Sequence, residues 1–315
     1  LMEGLHMALV LAICRPFDQA LTVVSTVALP MILANALGMF VFAFMVENLI
    51  NERKMQAERD TLMREIERKN TELAIAAEIQ QSFLPDTITQ IEGYDIAARS
   101  VMAKEVGGDF FDVIPLEVVP LGKDRLGIMI ADVSGKGIPA ALFMALSRIV
   151  VRVNATWYGE RPAAAIRDAN TIIAHDSKSG MFVTLWYGLL DSATRTLTYV
   201  NAGHNPPIHL RAADGTLGEL PATGIAMGVL DDAKYTQATV QMAKGDVLVL
   251  YTDGITEAEI AALEMFGTER LVKIILASGG LSADRICQQV LDAVKAFTGD
   301  HPQSDDITLM VIRSL

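Results

Sequence analysis

Between Asp18 and Glu47 the chain carries no charged residue, and within that gap Leu21 to Val46 reads LTVVSTVALPMILANALGMFVFAFMV. As a helix, a run of this length crosses a hydrocarbon core of about 30 Å. The backbone can be satisfied there only inside a helix or a closed barrel, so the segment is expected to span a membrane. Pro30, Asn35 and Gly38 interrupt it, which membrane helices tolerate when neighbouring helices take up the freed polar groups. Leu5 to Cys14 is apolar but short, either the tail of another span or an interfacial segment. Leu1 is not an initiator residue, so residues 1–50 read as one or two spans at the end of a larger membrane segment. The competing reading is a buried helix pair in a soluble core, but the apolar run is continuous rather than striped. Arg53 and Lys54 follow it closely. The positive-inside tendency then sets the rest of the chain in the cytoplasm, at a cell inner membrane.

From Asn51 the composition flips to charged helix formers, with no Gly or Pro until Pro85. Residues 51–88 are expected to form a helical linker, with the helix running to Phe83. Leu62, Ile66, Leu73, Ala76 and Phe83 fall on an alternating four-three spacing, with Arg59, Lys69 and Gln80 at the remaining seam positions. That is a weak coiled-coil heptad and implies a homodimer. A solvated helix docking on its own domain is the alternative. Pro85-Asp86 ends the helix.

Residues 89–315 read as one domain of strands and helices. Tyr94 to Val101, Leu126 to Ala131, Phe182 to Leu190, Thr196 to Val200, Thr239 to Met242, Asp246 to Tyr251 and Thr308 to Ile312 have strand character. Pro139 to Val153, Pro162 to Ser177, Gly267 to Ala277 and Ser282 to Phe297 have helical character. Turns such as Asp191-Ser192 and Lys244-Gly245-Asp246 favour antiparallel sheets flanked by helices, an α/β (α+β) class, over a doubly wound fold. A net charge of -12 argues against nucleic-acid binding. Cys14 and Cys287 lie in different apparent domains without ligand spacing, so neither a disulfide nor a zinc site is expected.

Four acidic clusters stand out, each after an apolar run and beside glycine or a second acid: Gly107-Gly108-Asp109 with Asp112, Asp132 in IADVSGKG, Asp253 in LVLYTDG, and Asp305-Asp306 in SDDITL. Carboxylates and backbone carbonyls at strand ends are the oxygen donors that Mg²⁺ and Mn²⁺ take. Any one such cluster is more often a turn; four together are harder to dismiss.

Here the chain resembles a known family. AAEIQQSFLP, GGDFFD, ADVSGKGIPAAL, FVTLWYGLLD, YVNAGHNPP, YTDGITEA, FGTERL and SDDIT, in that order from about Ala76 onward, resemble the PPM-type metal-dependent serine/threonine protein phosphatases in their bacterial SpoIIE/RsbU-like branch. The resemblance implies a β-sandwich flanked by helices. It also implies a site for two divalent ions, Mn²⁺ or Mg²⁺, in which Asp132 bridges both and Val133 contributes its carbonyl. Asp253 and Asp305 would hold one ion, with Asp109 at the same centre directly or through water. Asp112 and Asp306 would stand behind the ligands. A water bridging the ions would be the nucleophile, with no catalytic side chain. The implied substrate is a phosphoserine or phosphothreonine protein, in related signalling systems an anti-sigma-factor antagonist. A catalytically weak binding or scaffold module on the same fold is the alternative. Over LPMILANALG and the helix after it, the N-terminal part is similar to the end of the multi-span sensor region of LytS-type receptors.

No Cys-x5-Arg loop or G-x-x-x-x-G-K-[ST] loop is present. GGDFF superficially matches a diguanylate cyclase signature, which has no place for the three later aspartate motifs. His204 in the turn NAGHNPP reads as structural rather than as an acid catalyst. Lys136 either reaches a substrate phosphate or is solvated. The glycines of SGKGIPAA permit a tight turn before a helix that proline opens.

Overall fold

A computed structural model describes residues 1–116, 124–176 and 180–315. The chain divides into two compact units, Leu1–Thr71 and Glu72–Leu315. The first holds α1 (Met2–Ile13) and most of α2 (Phe17–Gln81), a single 65-residue helix that passes through Pro30. Its apolar stretch is long enough to cross a membrane and leaves none of its residues buried. Within this unit the Asn35 amide donates to Glu3 Oε1 at 2.6 Å. A polar side chain inside the apolar run thus finds a partner on the neighbouring helix.

The helix stops at Gln81, two residues before the predicted end. The Phe83 and Leu84 amides bond to the Gln80 and Gln81 carbonyls, an i to i+3 tightening that leads into Pro85. Gln80, predicted on the coiled-coil seam, is only 3% exposed. It is buried against residues of the second unit, which corrects that seam assignment and agrees with the alternative of a helix end docking on its own domain.

The second unit contains two antiparallel five-stranded sheets. One runs β1 (Tyr94–Val101), β10 (Ile307–Ser314), β9 (Val247–Tyr251), β6 (Ile208–Leu210), β7 (Leu217–Glu219); the other runs β2 (Phe110–Pro115), β3 (Arg125–Val133), β4 (Val183–Asp191), β5 (Thr196–Ala202), β8 (Ala238–Gln241). Alternation assigns each face. Ile128, Ile130, Trp186 and Leu197 of the second sheet meet Ile96, Leu248, Leu250 and Met310 of the first, and Trp186 stacks on Tyr199 at 5.7 Å. The outer face of the β2–β8 sheet, with Met129, Leu185 and Tyr187, packs on α3 (Ile138–Tyr158) and α4 (Pro162–Asp176). Val249, Leu309 and Val311 on the other outer face pack on α6 (Gly267–Ala277) and α7 (Ala283–Thr298). The result is the expected sandwich with helices on both sides. Its central strands are buried on both faces, so they read as continuous apolar runs.

The seven predicted strands are all present, and so are the four predicted helices, α3 running five residues past Val153. Ser177, the predicted end of α4, lies outside the described residues. The sequence reading missed β2, β6 and β7. Pro115 closes β2, which suits an edge strand and hides it from pattern reading. The other two have three residues each.

Candidate active site

Strand direction gathers the acidic clusters. In the antiparallel pair β2 and β3, Phe110 stands opposite Ala131, so Asp109 just before β2 and Asp132 near the end of β3 share one end of that sheet. In the pair β9 and β10, Tyr251 stands opposite Leu309. Asp253, first residue of α5 (Asp253–Thr256), and Asp305, two residues before β10, therefore share one end of the other sheet. Hydrogen bonds from Thr252 to Asp109 and from Gly108 to Asp306 put the two ends together, and the carboxylates feel one another. Burial, with the Asp132 charge next, holds the Asp109 carboxyl well above the usual carboxylate range. Asp132 is pushed up to about 7 by burial and then by Asp253 and Asp305. Asp253 is raised by burial, then by Glu257 and Asp305. Like charges converging in a partly desolvated cleft are unfavourable unless protons or cations neutralise them.

Each member is held in place. Thr252 Oγ1 donates to Asp109 Oδ2 at 2.7 Å and accepts from the Thr308 amide at 2.9 Å, so a residue of one sheet sets an aspartate of the other. The Val133 carbonyl faces the glycine loop: a Cβ on Gly108 would stand 2.9 Å from that oxygen. Asp305 accepts from the Asp306 amide at 2.9 Å and pairs with Lys136 Nζ at 2.9 Å. Lys136 Nζ also donates to the Ser304 carbonyl at 2.6 Å. Lys136 is thus tied to the site rather than free in solvent, a role that a lysine in a glycine-rich turn does not announce.

Asp306 has another job. Its Oδ1 accepts from the Ala103 amide at 2.8 Å and its Oδ2 from the Gly108 amide at 2.7 Å. Backbone donors occupy the carboxylate, which pins the loop before Asp109. The approach requires glycine on both sides: a Cβ on Gly107 would lie 2.2 Å from Asp306 Oδ2, and one on Gly254 2.0 Å from the Asp306 carbonyl oxygen. Asp112 is drawn elsewhere. It is 1% exposed and takes Arg148 at 2.8 Å and Arg152 at 2.6 Å on one oxygen, fastening β2 to α3.

Gln80 is the residue the sequence reading assigned elsewhere. Its amide Nε2 donates to the Gly107 carbonyl at 2.6 Å, and its Oε1 accepts from the Gly107 amide at 3.0 Å. The last turn of α2 therefore holds both backbone groups of a residue two before Asp109. His204 is 3% exposed, and its Nδ1 lies 2.9 Å from Thr184 Oγ1. Burial lowers its pKa to about 4, leaving a neutral ring at neutral pH. This matches the structural reading of His204.

The donor set fits a hard divalent cation: four carboxylates and a backbone carbonyl, all oxygen, with repulsion that a cation relieves. Among the described residues, no three His, Cys, Asp or Glu side chains close on a point tightly enough to cage an ion alone. Mg²⁺-type ions do not need that, since they take one or two carboxylates and keep several waters.

The comparisons agree with this architecture. The family model described as Stage II sporulation protein E (SpoIIE) matches residues 122–315. The model described as the 5TMR of 5TMR-LYT, a membrane-segment family, matches residues 1–49. The chain is 31% identical over 272 residues to phosphoserine phosphatase RsbU of Bacillus subtilis, covering 86% of this chain and 78% of that one. It is 31% identical to protein IcfG of Synechocystis sp., covering 76% of this chain and 41% of IcfG. In structure it is similar to the SiaA-PP2C domain of Pseudomonas aeruginosa, with a TM-score of 0.67 and 24% identity, covering 78% of this chain and 97% of that domain.

Proposed function

The chain belongs to the SpoIIE family of protein serine/threonine phosphatases, and from that premise we propose that it is a membrane-tethered signalling enzyme dephosphorylating phosphoserine or phosphothreonine on an anti-sigma-factor antagonist. The observation that carries the proposal is the convergence of Asp109, Asp132, Asp253 and Asp305 from two sheets onto one cleft. In this reading Asp109, Asp132, Asp253 and Asp305, with the Val133 carbonyl, would hold two Mn²⁺ or Mg²⁺ ions. The chemistry such ions would supply is a lowered pKa for water, so that it loses a proton near neutral pH and becomes a nucleophile toward phosphorus, and compensation of charge on the phosphate oxygens.

The chain's own residues supply position. Thr252 orients Asp109, Asp306 fixes the loop carrying it, and Lys136 orients Asp305 and adds a positive charge at the rim. Asp112 and His204 support the scaffold. No side chain is assigned as nucleophile. The similarity to RsbU, described as a phosphoserine phosphatase, supports a phosphoserine substrate; the anti-sigma-factor antagonist is the substrate that the sequence resemblance implies. We further assign residues 1–50 to the inner membrane, residues 51–88 to a linker pairing two copies, and residues 89–315 to a cytoplasmic catalytic domain. The apolar first half of α2 and the membrane-family match support the first of these.

The test is hydrolysis of p-nitrophenyl phosphate by the full chain in detergent. Activity that appears with Mn²⁺ and vanishes with EDTA is expected. A folded protein inactive at every Mn²⁺ or Mg²⁺ concentration would favour the scaffold module instead.

A further inference from the structure

A cavity of about 300 Å³ lies between α5, the C-terminal half of α7 and segment 301–304. Its lining is mixed: Val101, Ala258, Leu291, Val294 and Ile307 supply apolar surface, and Glu259, Asp292, Lys295 and His301 stand beside them with Thr298. Two of its walls continue into the candidate site, for Gly254 follows Asp253 and Ser304 precedes Asp305. Neighbouring Cα atoms are about 3.8 Å apart, so the cavity begins one residue from both aspartates. The wall is set in register with them: Gln303 Nε2 donates to the Val101 carbonyl at 2.8 Å and to the Asp305 carbonyl at 2.6 Å. Nothing in phosphate-ester hydrolysis requires a hollow with this apolar surface there.

We propose that this cavity is a substrate subsite that receives one aliphatic or aromatic side chain close in sequence to the phosphorylated residue. The proposal rests on the phosphatase reading above. With the phosphate beside Asp253 and Asp305, an extended substrate advancing about 3.3 Å per residue brings a side chain one to three positions away over the cavity mouth. An apolar pocket discriminates between a side chain that fills it and a smaller one by about 10- to 200-fold in kcat/KM.

The test uses the full chain in detergent with Mn²⁺, p-nitrophenyl phosphate, and phosphoserine peptides in which each of three positions on either side is in turn Leu or Gly. Leu at one position is expected to raise kcat/KM by about tenfold or more over Gly. Thr298→Trp and Lys295→Trp, which fill the cavity from two points on α7, should each erase that preference and leave p-nitrophenyl phosphate hydrolysis within about twofold of wild type. Lys295 is exposed, so its variant keeps the readout available if tryptophan at half-buried Thr298 disturbs folding. A flat peptide profile in an enzyme active on p-nitrophenyl phosphate would overturn the subsite alone, as would a Leu preference that survives Lys295→Trp. Absence of hydrolysis of both substrate types would overturn the phosphatase reading and the subsite with it.

Discussion

Replacing Gln80 with leucine tests whether the end of the long helix takes part in setting the candidate site. Gln80 is buried, and its amide satisfies both the N–H and the C=O of Gly107, at 3.0 and 2.6 Å. Leucine has similar volume but neither donor nor acceptor. A stranded buried backbone group costs about 1–3 kcal/mol, so stranding both groups of Gly107 costs roughly 2–6 kcal/mol. The structure can avoid that cost by letting water reach Gly107, through loosening of the loop or of the last helical turn. Either change frees the segment that carries Asp109. If about 1.4 kcal/mol of the loss is expressed in repositioning Asp109, the Mn²⁺ concentration for half-maximal activity rises about tenfold. Two assays on the full chain in detergent check this: Mn²⁺ titration of p-nitrophenyl phosphate hydrolysis, and hydrogen exchange at the Gly107 amide. Faster exchange with a weakened metal response is expected, and Gln80→Glu, which keeps the acceptor, should be intermediate. Unchanged exchange and a half-saturation point within about twofold of wild type would refute the argument.

Asp132→Asn and Asp253→Asn should each bring hydrolysis near background at saturating Mn²⁺ with the fold retained; activity within about threefold of wild type would remove that aspartate from the mechanism. With EDTA present, the folded-state pKa of Asp132, about 7, lies above its ordinary value of 3.8. The folded state then binds more protons at Asp132 between those values, so the contribution of Asp132 to stability is present below about pH 4 and lost as pH rises toward 7. His204, lowered to about 4 by burial, acts in the opposite sense in both proteins, so the check is the difference in Tm: Asp132→Asn should gain on wild type as pH rises from about 4 to about 7, and a pH-independent difference would contradict the assigned repulsion. Gly254→Ala places a Cβ 2.0 Å from the Asp306 carbonyl oxygen and should cost about 1–3 kcal/mol, read as a lower Tm; an unchanged Tm would mean that the α5 turn gives way freely. The intact chain should sediment with membranes and resist release by high salt, whereas salt release would indicate peripheral attachment.

The parts of the fold that the sequence made legible are those where one physical signal dominates. β9 is apolar throughout and β4 is apolar from Leu185 to Leu190 because both faces are covered, and α6 and α7 carry strong one-sided patterns with Gly or Ser at their starts. β2 was hidden because its residues FFDVIP follow an acidic motif and end in proline. The same strand explains Asp112. Spacing alone groups it with Asp109, but the pleat directs Phe111 and Val113 into the sandwich and turns Asp112 with Phe110 toward α3, where Arg148 and Arg152 wait. Proximity in a motif is not proximity in space. Gln80 was misread for a related reason: a heptad position and a docking position look alike when the partner surface, the Gly107 backbone, has no side chain to signal it.

The same geometry gives the cleft a mechanical property. Asp109 and Asp132 belong to one sheet, Asp253 and Asp305 to the other, so repulsion among them acts to part the two sheets at this end. Against it stand a few ties that cross between the sheets, chiefly Thr252 to Asp109 and Asp306 to Gly108. Cations bound among the four carboxylates would reverse the sign of that force, so ion binding and closure of this end of the sandwich should strengthen one another. Gln80, in the last turn of α2, grips Gly107 on the Asp109 side of the cleft. A shift of that helical segment would therefore carry Asp109 relative to Asp253 and Asp305 rather than move the site as a block. A displacement of under 1 Å matters there, because phosphoryl-transfer geometry tolerates little misplacement of its ligands. The buried Gln80 amide thus links the helix end to the loop that carries Asp109.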